Sequence, residues 1–183
     1  MSSQEKEFLH PQSVGSQLGI AQGMKVADFG FGAGDFALLA SKIVNETGLV
    51  SAIDIRESAI SAFAARIKEL GIKNIEIIRA DLEVPGNTHL KNQSQDIVLI
   101  INMLFQSTQR DLVISEASRI TKSNGSIVVI DWSSEDKKIG PPMELRVNQT
   151  DLKELFEKNG FSVERTIEAG HYHFGVVFKK NKS

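Results

Sequence analysis

The sequence predicts an α/β protein built on a doubly wound, Rossmann-like seven-stranded sheet with an antiparallel last strand. Two observations support this fold class. Short apolar runs alternate with longer helical patterns along most of the 183 residues, and such alternation is typical of a parallel sheet with helices on both faces. Only Glu168–Tyr172 separates the last two apolar runs. Because this segment is too short for a crossover helix, a hairpin must join those two strands.

Seven short apolar runs are predicted as strands. In chain order they are Met24–Phe29, Leu49–Asp54, Ile75–Arg79, Asp96–Ile101, Ser126–Asp131, Phe161–Ile167 and His173–Lys179. The fourth run is continuously apolar after its first residue, as expected for a strand buried on both faces of a parallel sheet.

Four stretches between these strands show helical periodicity and are predicted as helices: Asp35–Asn45, Ser58–Leu70, Gln109–Thr121 and Thr150–Asn159. Within each, apolar residues recur at the spacing of one helix face. Gly71 is expected to end the second helix at its C terminus. Thr150 is expected to cap the N terminus of the last one.

Composition predicts a globular protein and excludes several classes of function. Hydrophobic residues make up 41% and charged residues 24% of the chain, which is ordinary for a globular domain. The length predicts one domain over residues 1–183, with 1–22 as an N-terminal extension or lid. The chain has no cysteine, which excludes disulfides, zinc knuckles, iron–sulfur clusters and thiol nucleophiles. A net charge of −2 argues against broad electrostatic binding of nucleic acid.

The apolar runs and the N-terminal residues predict a cytoplasmic protein without a membrane partner. No cationic segment leads into an apolar run near Met1, so a secretory signal is not expected. No stretch approaches the ~18 apolar residues of a membrane-spanning helix. Ser2 stands where myristoylation requires glycine. Nothing in the sequence indicates an oligomeric state.

The glycine-rich turn Gly30–Gly34, after the first predicted strand, is the most informative motif. In a doubly wound sheet a ligand binds beyond the carboxyl ends of the strands, at the switch point beside strand one. Glycine lets the backbone approach a ligand closely and adopt positive φ. A tight strand-to-helix turn without a ligand is the alternative, but three alternating glycines exceed what such a turn requires.

Two kinds of ligand compete for this turn. Residues Gly32–Ala37 fit the dinucleotide fingerprint G-x-G-x-x-A, with Asp54 as the acid that would bind a ribose. Asp28 argues against a dinucleotide, because a carboxylate at the end of strand one would repel a pyrophosphate. A ligand that carries an ammonium and a sulfonium would instead be attracted. The length also predicts no second domain for a hydride donor or acceptor.

Residues Val26–Gly34 read V-A-D-F-G-F-G-A-G and resemble the first motif of the class I S-adenosylmethionine-dependent methyltransferases, V-x-D-x-G-x-G-x-G. The resemblance covers nearly the whole chain and is greatest to the small methyltransferases of ubiquinone and menaquinone biosynthesis. Arg119–Gly125 is similar to the R-x-L-K-P-G-G turn before the fifth strand, with Ser123 in place of proline. The resemblance implies S-adenosyl-L-methionine as the cofactor. It implies cofactor contacts in the first motif at Asp28, Gly30, Phe31, Gly32 and Gly34.

The resemblance also implies cofactor contacts after strands two to four. Asp54 stands where the family binds the ribose hydroxyls, Asp81 where it places an acid near the adenine amino group, and Asn102 at the strand end that lines the methionine portion. Carboxylates at the first two positions can accept hydrogen bonds from a diol and an amino group. Ile55 could cover one adenine face, and Leu82 could supply an apolar contact and a backbone donor.

Candidate reaction and substrate residues lie at the carboxyl ends of the later strands. His171 and His173 would share a side of an extended segment, with Tyr172 opposite, and histidine suits proton transfer near neutral pH. A packing role is the alternative, and no metal site is expected because a third ligand is lacking. Trp132 could wall an aromatic or cationic acceptor, or act as a structural lid. Arg146 could hold an anionic group, or form a surface ion pair.

Together these residues predict methyl transfer to a small-molecule acceptor. The segment Asn102–Gln106 lacks the N/D-P-P-Y/F motif that grips planar amino groups, which disfavours methylation of adenine or glutamine nitrogen. The neighbourhood of Leu104, Phe105 and Trp132 favours an apolar or aromatic acceptor. The alternatives are an NAD-binding oxidoreductase and a non-catalytic cofactor-binding module of the same fold. Whether the acceptor atom is oxygen, nitrogen or carbon is left open.

Overall fold

The computed structural model describes residues 9–135 and 139–181, which are organised around one seven-stranded sheet. The strands are β1 (Lys25–Phe29), β2 (Leu49–Asp54), β3 (Ile75–Arg79), β4 (Gln95–Ile101), β5 (Thr121–Trp132), β6 (Phe161–Ile167) and β7 (His173–Lys180). Their order across the sheet is β3-β2-β1-β4-β5-β7-β6. β1 to β5 pair in parallel, while β7 runs antiparallel to both β5 and β6. The predicted fold class is confirmed.

Five α-helices lie between or before these strands: α1 (Pro11–Val14), α2 (Asp35–Val44), α3 (Glu57–Glu69), α4 (Arg110–Ile120) and α5 (Gln149–Lys158). Four of them were predicted, within one or two residues at each end. Three short 3-10 turns complete the described structure: Gly15–Gln17, Leu104–Gln106 and Met143–Leu145. None of the helices in the two described ranges has both the length and the apolar character needed to cross a membrane.

Two element starts differ from the sequence prediction. α5 is capped by Asn148, not by Thr150, because the Asn148 side chain accepts hydrogen bonds from the backbone N–H groups of Thr150 (2.8 Å) and Asp151 (3.4 Å). β5 begins at Thr121, five positions before the predicted start, since α4 leads directly into it and Thr121 already pairs with Gln95 of β4.

Both faces of the sheet are buried. One face packs against α1, α2 and α3, and the other against α4 and α5. β4 shows the alternation clearly, because Val98 and Ile100 belong to the α4–α5 side while Leu99 and Ile101 belong to the opposite side. This confirms that the continuous apolar run of β4 is buried on both faces.

The register of the parallel strands brings their ends to one edge. Phe29 of β1 is level with Ile53 of β2 and Ile100 of β4, and Ile100 is level with Val129 of β5. Residues that immediately follow this row therefore meet at the carboxyl edge of the sheet, where the candidate site lies.

The described part of the N-terminal segment packs against the domain. Val14 and Leu18 are fully buried in the core on the α2 side. Gln17 and the backbone of Glu168 exchange hydrogen bonds, and the Arg165 guanidinium donates to the Gln17 carbonyl at 2.8 Å. These contacts make residues 11–18 a packed end piece. The lid role expected for residues 1–22 stays a prediction, and residues 1–8 lie outside the described residues.

Candidate cofactor site

A cavity of about 330 Å³ opens at the carboxyl edge, beside the ends of β1, β2, β3 and β4. Its volume lies at the lower end of the range typical of small-molecule sites. The predicted cofactor residues that line it are Gly30, Asp54, Ile55, Asp81 and Leu82. The lining residues that sequence reasoning missed are Arg56, Ala80, Glu83, Met103, Gln106 and Ser107. Most of these follow a predicted strand within a few positions, which is the one signal that could have found them.

The three glycines of the turn serve different purposes. All have positive φ, at 72° for Gly30, 57° for Gly32 and 84° for Gly34. A Cβ atom at Gly34 would lie 2.1 Å from the ring of Phe63, so this glycine is required for α3 to pack against the turn. At Gly32 the nearest described atom would be 3.8 Å away. This is an ordinary van der Waals distance, so the positive φ and not close packing favours glycine at position 32.

Five predicted cofactor residues, Asp28, Phe31, Gly32, Gly34 and Asn102, do not line the cavity, and Phe31 and Asn102 have other surroundings. The Phe31 side chain is buried in the core, with its ring centroid 4.9 Å from that of Phe63. Asn102 follows β4 with φ of 51°, and its carbonyl accepts a hydrogen bond from the Gln106 side chain at 3.0 Å. Its side-chain oxygen is buried and has no hydrogen-bond partner among the residues that the structure describes. A contact from Asn102 to a ligand stays a prediction.

Asp28 is a buried carboxylic acid at the end of β1. It is 2% exposed, and its Oδ2 atom has no hydrogen-bond partner within residues 9–135 and 139–181. Burial, and to a smaller extent the negative charge of Asp54, raise the pKa of Asp28 to about 7, while a hydrogen bond from the Ala37 backbone opposes the rise. A cationic ligand nearby would favour the ionised form of this group.

Asp54, at the end of β2, is held in its ionised form. Its Oδ1 accepts hydrogen bonds from the Arg56 backbone N–H (3.0 Å) and Arg56 Nε (3.1 Å), and its Oδ2 accepts from the Gly32 N–H (3.1 Å) and Arg56 Nη2 (2.9 Å). Burial would raise the pKa of Asp54, but these hydrogen bonds and the charge of Arg56 outweigh it and lower the pKa. The site therefore contains one firmly ionised carboxylate beside one that titrates near neutral pH.

The loop after β3 forms the next wall of the cavity. Asp81 is oriented by a local turn, in which its Oδ1 accepts the Glu83 N–H at 2.9 Å and its own N–H donates to Asn87. The Glu83 carboxylate accepts hydrogen bonds from Ser107 Oγ (2.7 Å) and the Thr108 N–H (2.9 Å), which lower the pKa of Glu83. Glu83 thereby ties this loop to the segment before α4.

An ion pair on α4, between Glu116 and Arg119, supports the same loop. The Glu116 carboxylate, on α4, accepts hydrogen bonds from the Gly86 N–H, the Thr88 hydroxyl and the Arg119 guanidinium. Burial opposes ionisation of Glu116, but these donors outweigh it and lower its pKa to about 2. Arg119, the first residue of the R-x-L-K-P-G-G-like turn, therefore anchors the loop that carries Asp81.

At the other end of the edge, Asp131 holds the turn that carries Phe105. Its Oδ2 accepts the backbone N–H groups of Leu104 (3.0 Å) and Phe105 (3.3 Å), and its Oδ1 accepts that of Trp132 (2.8 Å). Burial dominates and raises the pKa of Asp131 to about 6. Phe105 is half-buried beside the predicted acceptor region.

His173, the first residue of β7, and Trp132, the last residue of β5, form a tilted ring pair. Their ring centroids are 4.3 Å apart. His173 is 8% exposed, and neither ring nitrogen has a hydrogen-bond partner in the described part of the chain. Burial, together with the nearby charge of Arg146, lowers the pKa of His173 to about 4. His173 is therefore neutral at neutral pH, but its low pKa makes it a weak base, which does not favour the predicted role as a proton acceptor.

The shared side expected for the two histidines is not found. His171 and Tyr172 lie in a turn that precedes β7, so strand alternation does not extend to them. The His171 side chain is exposed and meets the Tyr172 ring edge-on at 5.1 Å. Catalytic roles for these residues stay predictions.

Arg146 is buried and fastens the segment after β5. Its guanidinium donates hydrogen bonds to the carbonyls of Ser133 (2.6 Å), Pro141 (3.0 Å) and Ile139. Its Cζ atom lies 6.0 Å from the centroid of the Trp132 ring. These contacts give Arg146 a structural role, and its contact with an anionic substrate stays a prediction. Across the two described ranges, no group of three or more His, Cys, Asp or Glu residues could hold a metal ion.

The strand order with an antiparallel last strand, the glycine turn and the acids in β1, at the end of β2 and after β3 together define a class I S-adenosylmethionine-dependent methyltransferase. The family model described as "Methyltransferase domain" matches residues 20–173. The chain belongs to that family.

Curated relatives are similar over part of their length. The ubiquinone/menaquinone biosynthesis C-methyltransferase UbiE of Shewanella pealeana is 32% identical over 125 residues, covering 66% of this chain and 47% of that protein. UbiE of Haemophilus ducreyi is 31% identical over 116 residues, covering 63% and 44%. The chain thus spans about half the length of the curated relatives it matches.

Solved structures match over nearly the whole chain. A SAM dependent methyltransferase from Aquifex aeolicus is 29% identical with a TM-score of 0.84, covering 97% of this chain and 93% of that chain. The cyclase SpnF has a TM-score of 0.76 at 15% identity, covering 93% and 79%. At that identity the likeness shows the fold alone, and it shows that this fold is shared by an enzyme named for another reaction.

Proposed function

We propose that the chain transfers a methyl group from S-adenosylmethionine, bound in the cavity beside β1 to β4, to an apolar or aromatic small molecule. The observation that carries this proposal is the pair of acids at the edge: Asp54 ionised in the cavity wall, and Asp28 buried with an unpartnered oxygen. A vicinal diol suits the first, and a nearby cationic group suits the second.

The other lining residues fit the same ligand. Ile55 is 51% exposed at the cavity, which is unusual for a large apolar side chain and suits a stack against a purine face. Leu82 adds a buried apolar surface, and Asp81 offers an acceptor for an amino group. When bound, the cofactor would supply a methyl group activated by its sulfonium.

The chain's own contribution to such a reaction is to position the acceptor and exclude water. Phe105 and Trp132 are the proposed acceptor contacts, held by Asp131 and by the ring contact with His173. Because its low pKa makes His173 a weak base, we assign it to hydrogen bonding or packing rather than to proton removal. His171 and Tyr172, at the exposed turn, are the proposed groups for proton transfer if the acceptor must lose a proton. We place this activity in the cytoplasm, without a nucleic-acid or membrane partner.

A dinucleotide is the competing ligand for the glycine turn. It would bring a pyrophosphate toward Asp28, and the unpartnered oxygen of that buried acid offers it no donor while the group is ionised. A non-catalytic module would bind the cofactor and never transfer the methyl group. A measurement of ligand binding therefore tests the dinucleotide alternative, and a measurement of methyl transfer tests the non-catalytic alternative.

The test is calorimetric titration of the protein with S-adenosylhomocysteine, with NAD as the control ligand. Micromolar binding of the first alone supports the cofactor site, and binding of NAD alone overturns it. Transfer of a labelled methyl group from S-adenosylmethionine is then measured with small aromatic acceptors, with RNA and a protein mixture as controls. Transfer to RNA or protein in place of the small acceptors would refute the proposed substrate class.

A further inference from the structure

The Asp54 carboxylate has no acceptor position left for a ligand in this structure. A carboxylate offers about four lone-pair positions, two on each oxygen. Two of them are filled by backbone N–H groups, those of Gly32 and Arg56. The other two, one on each oxygen, are filled by Nε and Nη2 of the Arg56 side chain. A vicinal diol that binds both oxygens would need the two positions that this side chain occupies.

We propose that Arg56 is an intramolecular competitor for the ribose-binding acid, and that it sets the affinity of the nucleoside end of the site. This inference rests on the proposed function, because it assumes that a ribose diol is the group that approaches Asp54. Binding of the diol requires the Arg56 side chain to leave the carboxylate. The two backbone donors stay in place and keep the carboxylate oriented.

The surroundings of Arg56 allow this exchange. Its side chain is 58% exposed, whereas that of Asp54 is 3% exposed, so the guanidinium can turn to solvent while the acid stays fixed. Within the described residues, Asp54 is the only acid that pairs with Arg56. Ion pairs with one exposed partner are weak because water and salt screen them. The competitor is therefore strong enough to lower cofactor affinity and weak enough to be displaced.

The arrangement also predicts which ligands Arg56 discriminates. A ligand with a vicinal diol can replace both side-chain hydrogen bonds that Asp54 loses. A ligand with a single hydroxyl can replace only one of them, and the carboxylate would then lose a charge-assisted hydrogen bond. Arg56 thus favours ligands with an intact diol. A ligand with a single hydroxyl would have to displace Arg56, which makes more hydrogen bonds to Asp54 than that ligand can.

The experiment measures the Kd of S-adenosylhomocysteine by calorimetry for the wild-type chain, Arg56→Ala and the control Arg79→Ala. Arg79 is also an arginine at the cavity end of the sheet, level with Asp54, but it pairs with Glu57 and does not line the cavity. We expect Arg56→Ala to bind S-adenosylhomocysteine roughly three- to tenfold more tightly than wild type. This range corresponds to free energies between those of exposed ion pairs and those of hydrogen bonds to charged groups. Arg79→Ala should bind like wild type. Adding salt to about 0.5 M should reduce the difference in Kd between Arg56→Ala and wild type, since salt screens the ion pair between Arg56 and Asp54.

Four other outcomes have distinct meanings. Equal or weaker binding by Arg56→Ala overturns the inference, and weaker binding would make Arg56 a cofactor contact instead. Equal tightening by Arg79→Ala also overturns it, because a general loss of positive charge would then explain the effect. If neither the wild-type chain nor either variant binds S-adenosylhomocysteine, the proposed function fails and the inference fails with it. Binding by Arg56→Ala alone would support the inference in its strongest form.

Discussion

Asp28→Asn gives the sharpest test of the electrostatics at this edge. The folded protein raises the pKa of Asp28 from 3.8 to about 7, chiefly through burial. The folded state therefore binds more protons than the unfolded state between these two values. It follows that the contribution of Asp28 to stability is fully present below about pH 4 and is lost as pH rises through about 7. At 1.36 kcal/mol per pKa unit, the loss is about 4 kcal/mol.

The asparagine variant removes this titration but keeps the shape of the side chain. We expect the difference in unfolding free energy between Asp28→Asn and wild type to grow in favour of the variant by about 4 kcal/mol between about pH 4 and 8. Urea denaturation followed by far-UV circular dichroism measures it at each pH. Other titrating groups are common to both proteins and cancel in the difference.

The same substitution should cost affinity for the cofactor. Without the ionised Asp28, a cationic group about 8 Å away loses an attraction of about 2 kcal/mol at the effective dielectric near a protein surface. Asp28→Asn should thus be more stable at pH 8 and bind S-adenosylmethionine more weakly. If the pH profiles of the two proteins run parallel, Asp28 does not titrate in this range and the argument is wrong.

Three further substitutions test other parts of the structure. Asp54→Ala should weaken S-adenosylhomocysteine binding by about 1–3 kcal/mol in calorimetry through lost charged hydrogen bonds, and unchanged affinity would remove this residue from the site. Glu116→Ala should destabilise the protein by about 3–5 kcal/mol in urea denaturation, because it orphans several buried donors, whereas Glu164→Ala, in an exposed pair, should change stability by less than about 1 kcal/mol. Gly34→Ala should lower the unfolding free energy by well over the ~1 kcal/mol expected for Gly71→Ala, since both have positive φ but only the first would place a Cβ against an aromatic ring. Equal losses at the two glycines would contradict the packing argument.

Most of the sheet could be predicted because each strand is buried in a pattern that the sequence displays directly. The bounds of β2, β3 and β6 agree with the predicted runs. α1 was missed because its four residues are too few to show helical periodicity. The capping error at α5 had a different cause, since Asn148 and Thr150 are both good capping residues and only the backbone conformation decides between them.

The site was predicted in outline and not in its contacts. Strand ends locate Asp54 and Asp81, because topology alone brings carboxyl ends together. The Gly34 contact with Phe63 and the Glu83 contacts with Ser107 join residues far apart in sequence. Such pairings depend on how helices and loops pack, and neither periodicity nor a local motif reports them.

The charges at the edge depend on packing in the same way. The sequence places two acids near the glycine turn but does not tell their protonation states apart. Their difference arises from partners, because Asp54 is surrounded by donors whereas one oxygen of Asp28 has no partner in the described structure. With the pKa of Asp28 at about 7 and Asp54 balanced by Arg56, these two acids together contribute less than one net negative charge at neutral pH. A cationic nucleoside that displaces Arg56 and favours ionisation of Asp28 would meet two ionised carboxylates, those of Asp28 and Asp54. The negative charge of these two acids would therefore be greatest when a cationic ligand is bound.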